Sequence, residues 1–519
     1  MSEVVHRPDH PTSSMFCYFR LKTEDLGPCL SPALSRFSNQ LEWADSGGPT
    51  ERQANTDGKA TMGSTTSPNS GGFATQKGLA TRLAVTTGPA SHAGRRFGLS
   101  TAGPGDHPLI HNLLLSIFHA PSAGEFFAQL EAPQYEPTDR LLIRRGQQIV
   151  AHVRLAHGEM QFGPLALPAC EAWELATLPE FRGRGCASAL LEAAERKMAA
   201  DGALLGLLRT RVPSFYAERG WVVCGRHSYS LASTRDILAH LGAARQPQRT
   251  ALDQRAHPLN IRLWRLFEQP ALMRMYTDGT QGLFGPPVRT EAYWRWLIGR
   301  HGYERLYVAI HGPDRMHFDA ELTPIVGYAA VRQGRVVELM NAPGYDEASP
   351  QLLARACADA IERGFHTTRL DAPPAHRLHQ AIVEAGGEHH FQEADGDLVF
   401  MAKALRPIEL VERMCSVIHQ RVRAADAQPS YELGLSLGGK KFLITATRRG
   451  AKLIRGKLGR SYLSCSRGAL TQLVLGHLDA ARLAELGRLE ASTRVALETA
   501  ATLFPRVPLW YPPLDALPA

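Results

Sequence analysis

The chain has 519 residues, 44% of them hydrophobic and 21% charged, with a net charge of +8. At roughly 100–200 residues per domain this length predicts three or so domains, each able to bury a core. The basic residues form no dense stripe, which argues against a nucleic-acid partner, and no apolar run approaches the ~18 residues that span a bilayer.

Within residues 1–94 a patch at 15–30 is more apolar, but the stretch 46–94 is rich in Gly, Ser, Thr, Asn, Pro and Gln and poor in large apolar residues. Such a segment cannot bury enough surface to offset the entropy of ordering it, so a disordered low-complexity tail is expected there. Its first residues, Met1–Arg20, hold no apolar core of signal-peptide length. The cysteines are scattered, without a CxxC pair or a metal-ligand spacing. They read as free thiols in a reducing cytoplasm, and no metal is expected.

A first unit is expected over residues 95–250. Leu109–Phe118 has a helical apolar pattern, and Ser122–Leu130 reads as a second helix with Ser122 as N-cap. Arg140–Arg145 and Gln148–Leu155 read as a hairpin, because Ile149, Ala151, Val153 and Leu155 alternate. Glu171–Leu178 follows as a strand and Cys186–Ala200 as a helix. Ala203–Leu208 is an apolar strand, Pro213–Arg219 a short helix, and Trp221–Ser230 a last strand. This order predicts an α/β (α+β) fold, a mixed sheet with helices on both faces.

A second unit, 260–405, repeats the order: strands at 305–310, 325–332 and 335–340, a helix at 351–363 and a strand at 367–371. A third, 406–519, opens with a helix over 408–423, continues with strands over 431–437 and 441–447, and ends in a proline-rich apolar tail from Leu503. Tryptophan, tyrosine and leucines in that tail predict that it lies against the body.

The segment most informative about chemistry is Glu171-Ala-Trp-Glu-Leu-Ala-Thr-Leu-Pro-Glu-Phe-Arg-Gly-Arg-Gly-Cys-Ala-Ser188. A strand ends, a glycine-rich turn follows, and a helix starts at once. The first amides of a helix have no intrahelical partner and carry about half a positive charge. Gly183 and Gly185 let an anion approach the backbone, and Arg182 and Arg184 add full charges. The arrangement is a pyrophosphate cradle. It is not the dinucleotide fingerprint, whose third glycine would fall at Ser188, and no Gly-Lys-Ser/Thr follows to make a Walker loop.

The pattern Arg-x-x-Gly-x-Ala over Arg182, Gly185 and Ala187 resembles the acetyl-CoA motif of GNAT acetyltransferases. The strand ending Thr177-Leu178-Pro179, the apolar strand Leu204–Leu208 and Phe215-Tyr-Ala-Glu-Arg-Gly-Trp221 stand at the family's spacing around it. The resemblance implies acetyl-CoA as cosubstrate. The backbone of Leu175, Ala176 and Thr177 would pair with the pantetheine arm. The amides of Gly183, Arg184, Gly185, Cys186 and Ala187, with Arg182, would hold the pyrophosphate. Tyr216 would protonate the departing thiolate, and Cys186 is a small neighbour rather than a nucleophile. Glu171 and Glu174 are candidate bases; by strand alternation they should point to opposite faces.

The whole order, two GNAT-like units and a C-terminal α/β unit, resembles the Eis-like (enhanced intracellular survival) acetyltransferases, which end in a sterol-carrier-protein-like domain. The second unit has Glu338-Leu-Met-Asn-Ala-Pro343 where the third strand would fall and then no Arg-x-x-Gly-x-Gly/Ala, so it is expected to be degenerate. The resemblance further implies that the terminal carboxylate of Ala519 enters the site as a base, and that the protein is a homo-oligomer. The base stays open among Ala519, Glu171, Glu174 and water. His376, His379, His389 and His390 are expected to be surface or satisfied histidines.

The expected function is N-acetyl transfer to a primary amine of a small molecule or peptide. The alternative is a non-catalytic acyl-CoA sensor or lipid carrier. The acceptor and the acyl length are not written in the sequence.

Overall fold

The computed structural model of the protein describes residues 97–244, 259–314, 324–425 and 430–517. The tail expected over residues 1–94 lies outside the described residues, as does Ala519.

The first stretch runs β1 (Phe97–Thr101), α1 (His107–Phe118), α2 (Ala123–Leu130), β2 (Arg140–Arg145), β3 (Gln148–Phe162), β4 (Leu165–Thr177), α3 (Cys186–Ala200), β5 (Leu205–Thr210), α4 (Pro213–Ala217) and β6 (Val222–Val223). Next come β7 (His227–Ser233), α5 (Thr234–Ala244), β8 (Leu259–Leu263), α6 (Gln269–Thr280), β9 (Phe284–Pro287), α7 (Glu291–Gly299), β10 (Arg305–His311), β11 (Ile325–Arg332) and β12 (Arg335–Asn341). That stretch closes with α8 (Ala348–Glu362), β13 (Thr367–Asp371), α9 (Leu378–Glu384), β14 (Glu388–Gln392), β15 (Ala394–Asp395) and β16 (Leu398–Ala404). The last stretch is α10 (Pro407–Ala425), β17 (Ser430–Leu437), β18 (Lys440–Thr447), β19 (Gly450–Arg455), β20 (Tyr462–Cys465), α11 (Arg467–Val474), α12 (Ala480–Glu485), β21 (Leu489–Ala491) and α13 (Arg494–Leu503).

Local signals account for several of these elements. Ser122 caps α2 as its position predicts: its Oγ accepts from the amide of Glu125, whose carboxylate accepts from the amide of Ser122 at 2.6 Å. That reciprocal pair satisfies two amides that a helix start leaves without partners. The hairpin of β3 and β4 is longer than its predicted strands, pairing from Ala151↔Thr177 to Phe162↔Leu165. Gly158, Gly163-Pro164 and Pro168 read as loop in isolation. Burial of Met160 and Phe162 against β9 carries the ladder through them.

The first sheet has the order β1-β2-β3-β4-β5-β16-β15, with β6 on β16 and β9 on β3. Among the described residues only β4 and β5 pair in parallel within it. Leu141 and Ile143 face α3, with Leu190, Ala194 and Met198, while Leu142 faces α1 and α2, with Ile110, Leu114 and Phe126. This is the two-residue period of a strand buried on both faces. The second sheet is β14-β7-β13-β12-β11-β10-β8, and the third β19-β18-β17-β20-β21.

The last strand expected of the first unit, Trp221–Ser230, divides. Val222–Val223 stays with the first sheet, and His227–Ser233 leaves to pair with β13 and β14 in the second. In return β16, from the second stretch, lies antiparallel beside β5. The two units exchange strands, so the edge of β5 is covered by residues almost two hundred positions away in sequence. The third unit shares a core with the first: Leu205, Val222 and Phe400 pack in one cluster with Met414, Leu433, Leu470 and Phe504.

The tail is laid against the body. Val507, Leu509, Trp510 and Leu514 are buried. The amide of Trp510 donates to the carbonyl of Phe284 at 2.8 Å, and the amide of Arg226 to that of Leu509 at 3.0 Å. Among the described residues no helix is long and apolar enough to cross a membrane.

Candidate active site

β4 and β5 pair only from Ala169↔Leu205 to Ala172↔Leu208. β4 continues to Thr177 and β5 to Thr210, so the two strands part beyond that point. Ala176 and Thr177 are paired to β3 on one side. Among the described residues no strand pairs with their other edge, which faces the gap. The backbone of Leu175, Ala176 and Thr177 therefore lines an opening in the sheet.

The turn after β4 buries Phe181 and leaves Arg182, Gly183, Arg184 and Gly185 exposed. Gly183 and Gly185 have φ of +69° and +75°, a region open to glycine at little cost, and a Cβ at either would meet nothing within 4 Å. At these two glycines no described protein atom crowds the loop. α3 starts at Cys186, and its first intrahelical bond runs from the amide of Ala189 to Gly185 at 2.9 Å. No side chain caps this helix. The amides around Gly185, Cys186 and Ala187 point outward from an uncapped helix start, the geometry that receives an anion. Arg182 Nε donates to the Thr177 carbonyl at 3.3 Å, and the Arg184 guanidinium lies 5.5 Å from the Phe181 ring. Burial pushes the Cys186 thiol pKa up against the pull of Arg184, which disfavours a thiolate.

Tyr216 is carried by α4 and packs with Leu191, Leu208, Trp221 and Met401, with Ala172 and Leu175 of β4 against the same cluster. It thus sits behind the gap where the strands part. Burial pushes its pKa up to about 12, and a hydrogen bond to Thr210 offsets only part of that. The phenol is protonated throughout the neutral range, the state a proton donor needs. Phe215 stands edge-on to it at 5.0 Å and is covered by the Arg219 guanidinium at 4.0 Å.

Simple alternation would send Glu171 and Glu174 to opposite faces, and the structure corrects this. Glu174 has φ +56° and sits at a register shift opposite His152 and Arg154. This bulge resets the alternation, so both carboxylates lie on the face that carries Arg140, Arg154 and Trp173. Both also act on Arg154. Glu174 accepts from Arg140 at 3.1 Å and from Gln129 at 2.7 Å, with Arg154 Nε at 3.6 Å. Burial would raise its pKa, but Arg154 and Arg140, with the hydrogen bond from Gln129, outweigh that and hold it below the usual carboxylate range. Glu171 is gripped by Arg209, which donates from Nε at 3.0 Å and Nη2 at 3.3 Å. His152 is fully buried, 3.1 Å from both Arg140 Nη1 and the Glu174 carbonyl. Arginine only donates and a carbonyl only accepts, so the proton is on Nδ1. Burial and Arg140 push this imidazole's pKa down to about 3, which keeps it neutral.

The tail closes this face. The Tyr511 ring lies 4.7 Å from the Arg209 guanidinium, whose other side is 4.9 Å from Trp173. Asp515 binds Arg289, which also grips Glu338 at 2.9 and 2.6 Å, and Tyr293 donates to Asp515 at 3.2 Å. Leu517 is the last described residue, so the expected role of Ala519 lies outside the described residues. None of Arg154, Arg209, Arg289 or Asp515 belongs to a motif. Their partners are 20 to 226 residues away, and only a contact map could have found them.

His379 is buried and held by Ser230 at 2.7 Å and by Ser228, with His389 stacked on it at 4.0 Å. His379 is thus a satisfied histidine. Elsewhere Asp139, His157 and Asp201 converge, with ligand-type atoms all within 4.8 Å. The Lys197 ammonium already supplies positive charge there, 2.8 Å from Asp201 and 3.6 Å from Asp139.

A protein-family model for an acetyltransferase (GNAT) domain matches residues 100–224, and one for a sterol carrier protein domain matches residues 434–512. Similar solved structures include a GCN5-related N-acetyltransferase from Anabaena variabilis, at 16% identity and TM-score 0.60, covering 80% of this chain and 99% of that one. A conserved protein of unknown function from Enterococcus faecalis, a probable N-acyltransferase, aligns at 15% identity and TM-score 0.60 over 79% and 97%. Eis1 from Mycobacterium abscessus aligns at 14% identity and TM-score 0.53 over 78% and 95%. At these identities the likeness is one of fold. A comparison with curated proteins gives no match.

Proposed function

We propose that this chain, which carries an acetyltransferase (GNAT) domain over residues 100–224 and a sterol carrier protein domain over 434–512, moves an acetyl group from acetyl-CoA directly to a primary amine of a small molecule or peptide. The observation that carries the reading is the gap between β4 and β5, with the uncapped start of α3 at one end and protonated Tyr216 behind it.

When bound, acetyl-CoA supplies an activated thioester. Arg182, the glycines of the turn and the first amides of α3 hold the pyrophosphate, and the free edge of Leu175–Thr177 orients the pantetheine arm. A β4 amide donates to the carbonyl oxygen as charge develops on it. The neutral acceptor nitrogen forms the new bond to the carbonyl carbon as the carbon–sulfur bond breaks, the Tyr216 hydroxyl passes its proton to the sulfur, and the further proton that the nitrogen sheds in becoming an amide passes through water to restore the phenol. The amine must first lose its own proton. A lysine-like amine with pKa near 10.4 is neutral about once in a few thousand at pH 7. Glu174, held charged by its arginines, is the least suited base, which leaves Glu171, the Ala519 carboxylate or water.

The test is acetyl-CoA turnover, followed by free-thiol release, against polyamines, aminoglycosides, lysine-bearing peptides and amino acids. Release stimulated by one class of amine supports transfer and names the acceptor class. Measurable coenzyme binding without stimulation by any amine would favour a sensor or lipid carrier. One observation supports that second reading, a cavity of about 620 Å³ between α4 and α12, with Trp221, Met401, Leu478 and Leu486 in its wall. Free cysteines among the described residues support a reducing compartment, the cytoplasm.

A further inference from the structure

The cleft beside Glu171 and Glu174 gathers five guanidinium groups, Arg140, Arg154, Arg209, Arg289 and Arg300, against four described carboxylates, Glu171, Glu174, Glu338 and Asp515, an excess of one positive charge. Glu171 is taken by Arg209, and Glu174 by Arg140. Glu338 and Asp515 are both taken by Arg289. Among the described residues, two further arginines, Arg154 and Arg300, have no carboxylate that is not already taken by another arginine. Arg154 has only the far contact of 3.6 Å to an oxygen of Glu174 that already accepts from Arg140. Arg300 donates at 2.7 and 3.1 Å, but to the main-chain carbonyls of Leu514 and Asp515, which carry no net charge. In each of these two arginines the Nε is buried with no hydrogen-bond partner.

The two cations also feel one another. Burial lowers the pKa of Arg300, and Arg289 and Arg154 lower it further against Tyr293 and Asp515. Burial lowers that of Arg154 as well, with Arg140 adding to the effect against the pull of Glu174 and Glu171. A guanidinium withdrawn from water without a counter-charge is costly, and an anion that reaches it recovers much of that cost. Between Arg154 and Arg209 lies the half-buried ring of Trp173, 5.4 and 4.9 Å from the two guanidinium carbons. It offers an apolar floor for a short alkyl chain beside the parted strands. A ligand bearing several ammonium groups would meet like charge in this cleft. The Ala519 carboxylate lies outside the described residues.

We infer that the acceptor is an amine that also carries an anionic group, a carboxylate or a phosphate, and that Arg154 and Arg300 hold that group while the amine reaches the gap between β4 and β5. This rests on the acetyltransferase reading above. It makes Arg154 and Arg300 specificity-determining residues, and it predicts that polyamines and aminoglycosides are poor acceptors.

The experiment compares three amines that differ only at the far end of a five-carbon chain: ε-aminocaproate with a carboxylate, pentylamine with a hydrogen, and cadaverine with an ammonium. Phosphoethanolamine against ethanolamine does the same for phosphate and separates the two anions. All are acetylated by the full chain, with kcat/KM read from thiol release. The expected order is ε-aminocaproate above pentylamine above cadaverine, with a step of about tenfold or more for the carboxylate, the worth of one charge-assisted hydrogen bond. Arg154→Met and Arg300→Met should each shrink the ratio of ε-aminocaproate to pentylamine, and Arg154→Lys should restore part of it. Melting temperatures identify any variant that fails to fold, and the wild-type ratio decides the matter even then. Equal rates, or cadaverine preferred, would overturn the inference and leave the acetyltransferase reading standing. No turnover with any amine would overturn both.

Discussion

Arg209 reaches from β5 to Glu171 on β4 and donates to both carboxylate oxygens, at 3.0 and 3.3 Å, where the two strands are about to part. The pair ties the strands at the root of the gap and occupies the carboxylate nearest to it. Its side chains are only 13% and 9% exposed, so neither charge has water as a substitute partner. Arg209→Met should therefore lower the unfolding free energy by about 3 kcal/mol, since it strands a buried charge. Urea denaturation checks this, and an unchanged midpoint would mean that the pair adds nothing to stability.

Tyr216→Phe removes one hydroxyl and keeps the ring in its cluster of Leu191, Leu208 and Trp221. The expected result is a fall in kcat of about a hundredfold or more with acetyl-CoA affinity retained. With its pKa near 12, Tyr216 is protonated across the working range. The wild-type kcat should thus rise with pH as the amine loses its proton, with no descending limb up to about pH 10. Wild-type turnover in the phenylalanine variant would remove Tyr216 from the mechanism.

Gly185→Glu places a carboxylate over the uncapped start of α3, where no protein atom lies within 4 Å of a Cβ. Acetyl-CoA binding, measured by calorimetry, should vanish. Gly185→Ala is the control for backbone strain at φ +75°, expected to cost about 1 kcal/mol of stability. If the glutamate variant binds as well as the alanine variant, the loop does not hold the phosphates.

Gly285→Ala tests the docking of the tail. A Cβ at Gly285 would stand 2.1 Å from the carbonyl oxygen of Trp510, which is backbone and cannot yield cheaply. The variant should lose the hydrogen bond from Trp510 to Phe284, melt lower, and expose the segment after Leu503 to proteolysis. A wild-type digestion pattern would show that the tail tolerates displacement there.

His152 predicts a pH dependence of stability. Its folded pKa is about 3, against 6.5 when exposed, so between those values the unfolded chain binds the extra proton. Its contribution is full above about pH 6.5 and is lost as pH falls toward 3, at up to about 1.4 kcal/mol per pH unit. His152→Gln should flatten the slope of urea midpoint against pH in that window. Equal slopes would mean that His152 titrates as an exposed histidine.

The cradle was legible because its parts are contiguous: a strand end, two glycines and a helix start within one run from Thr177 to Ala187. Ser122 was legible for the same reason, its partner Glu125 being three residues away. The spacing from that run singles out Tyr216 as a candidate, while its burial and raised pKa came only from the tertiary packing. The placement of Glu174 was misread, because alternation cannot anticipate a residue at φ +56°.

The local sequence was enough to show that residues 182–187 form a glycine turn leading straight into a helix start, that helices and strands alternate around it, and that an apolar tail must find cover. Each depends on chemistry within a few residues. Tertiary structure alone decided that β7 and β16 change sheets, that both glutamates share a face, and that Asp515 meets Arg289 across 226 residues. Those outcomes depend on which distant surfaces can bury apolar area and pair buried charge together, a competition settled over the whole chain at once.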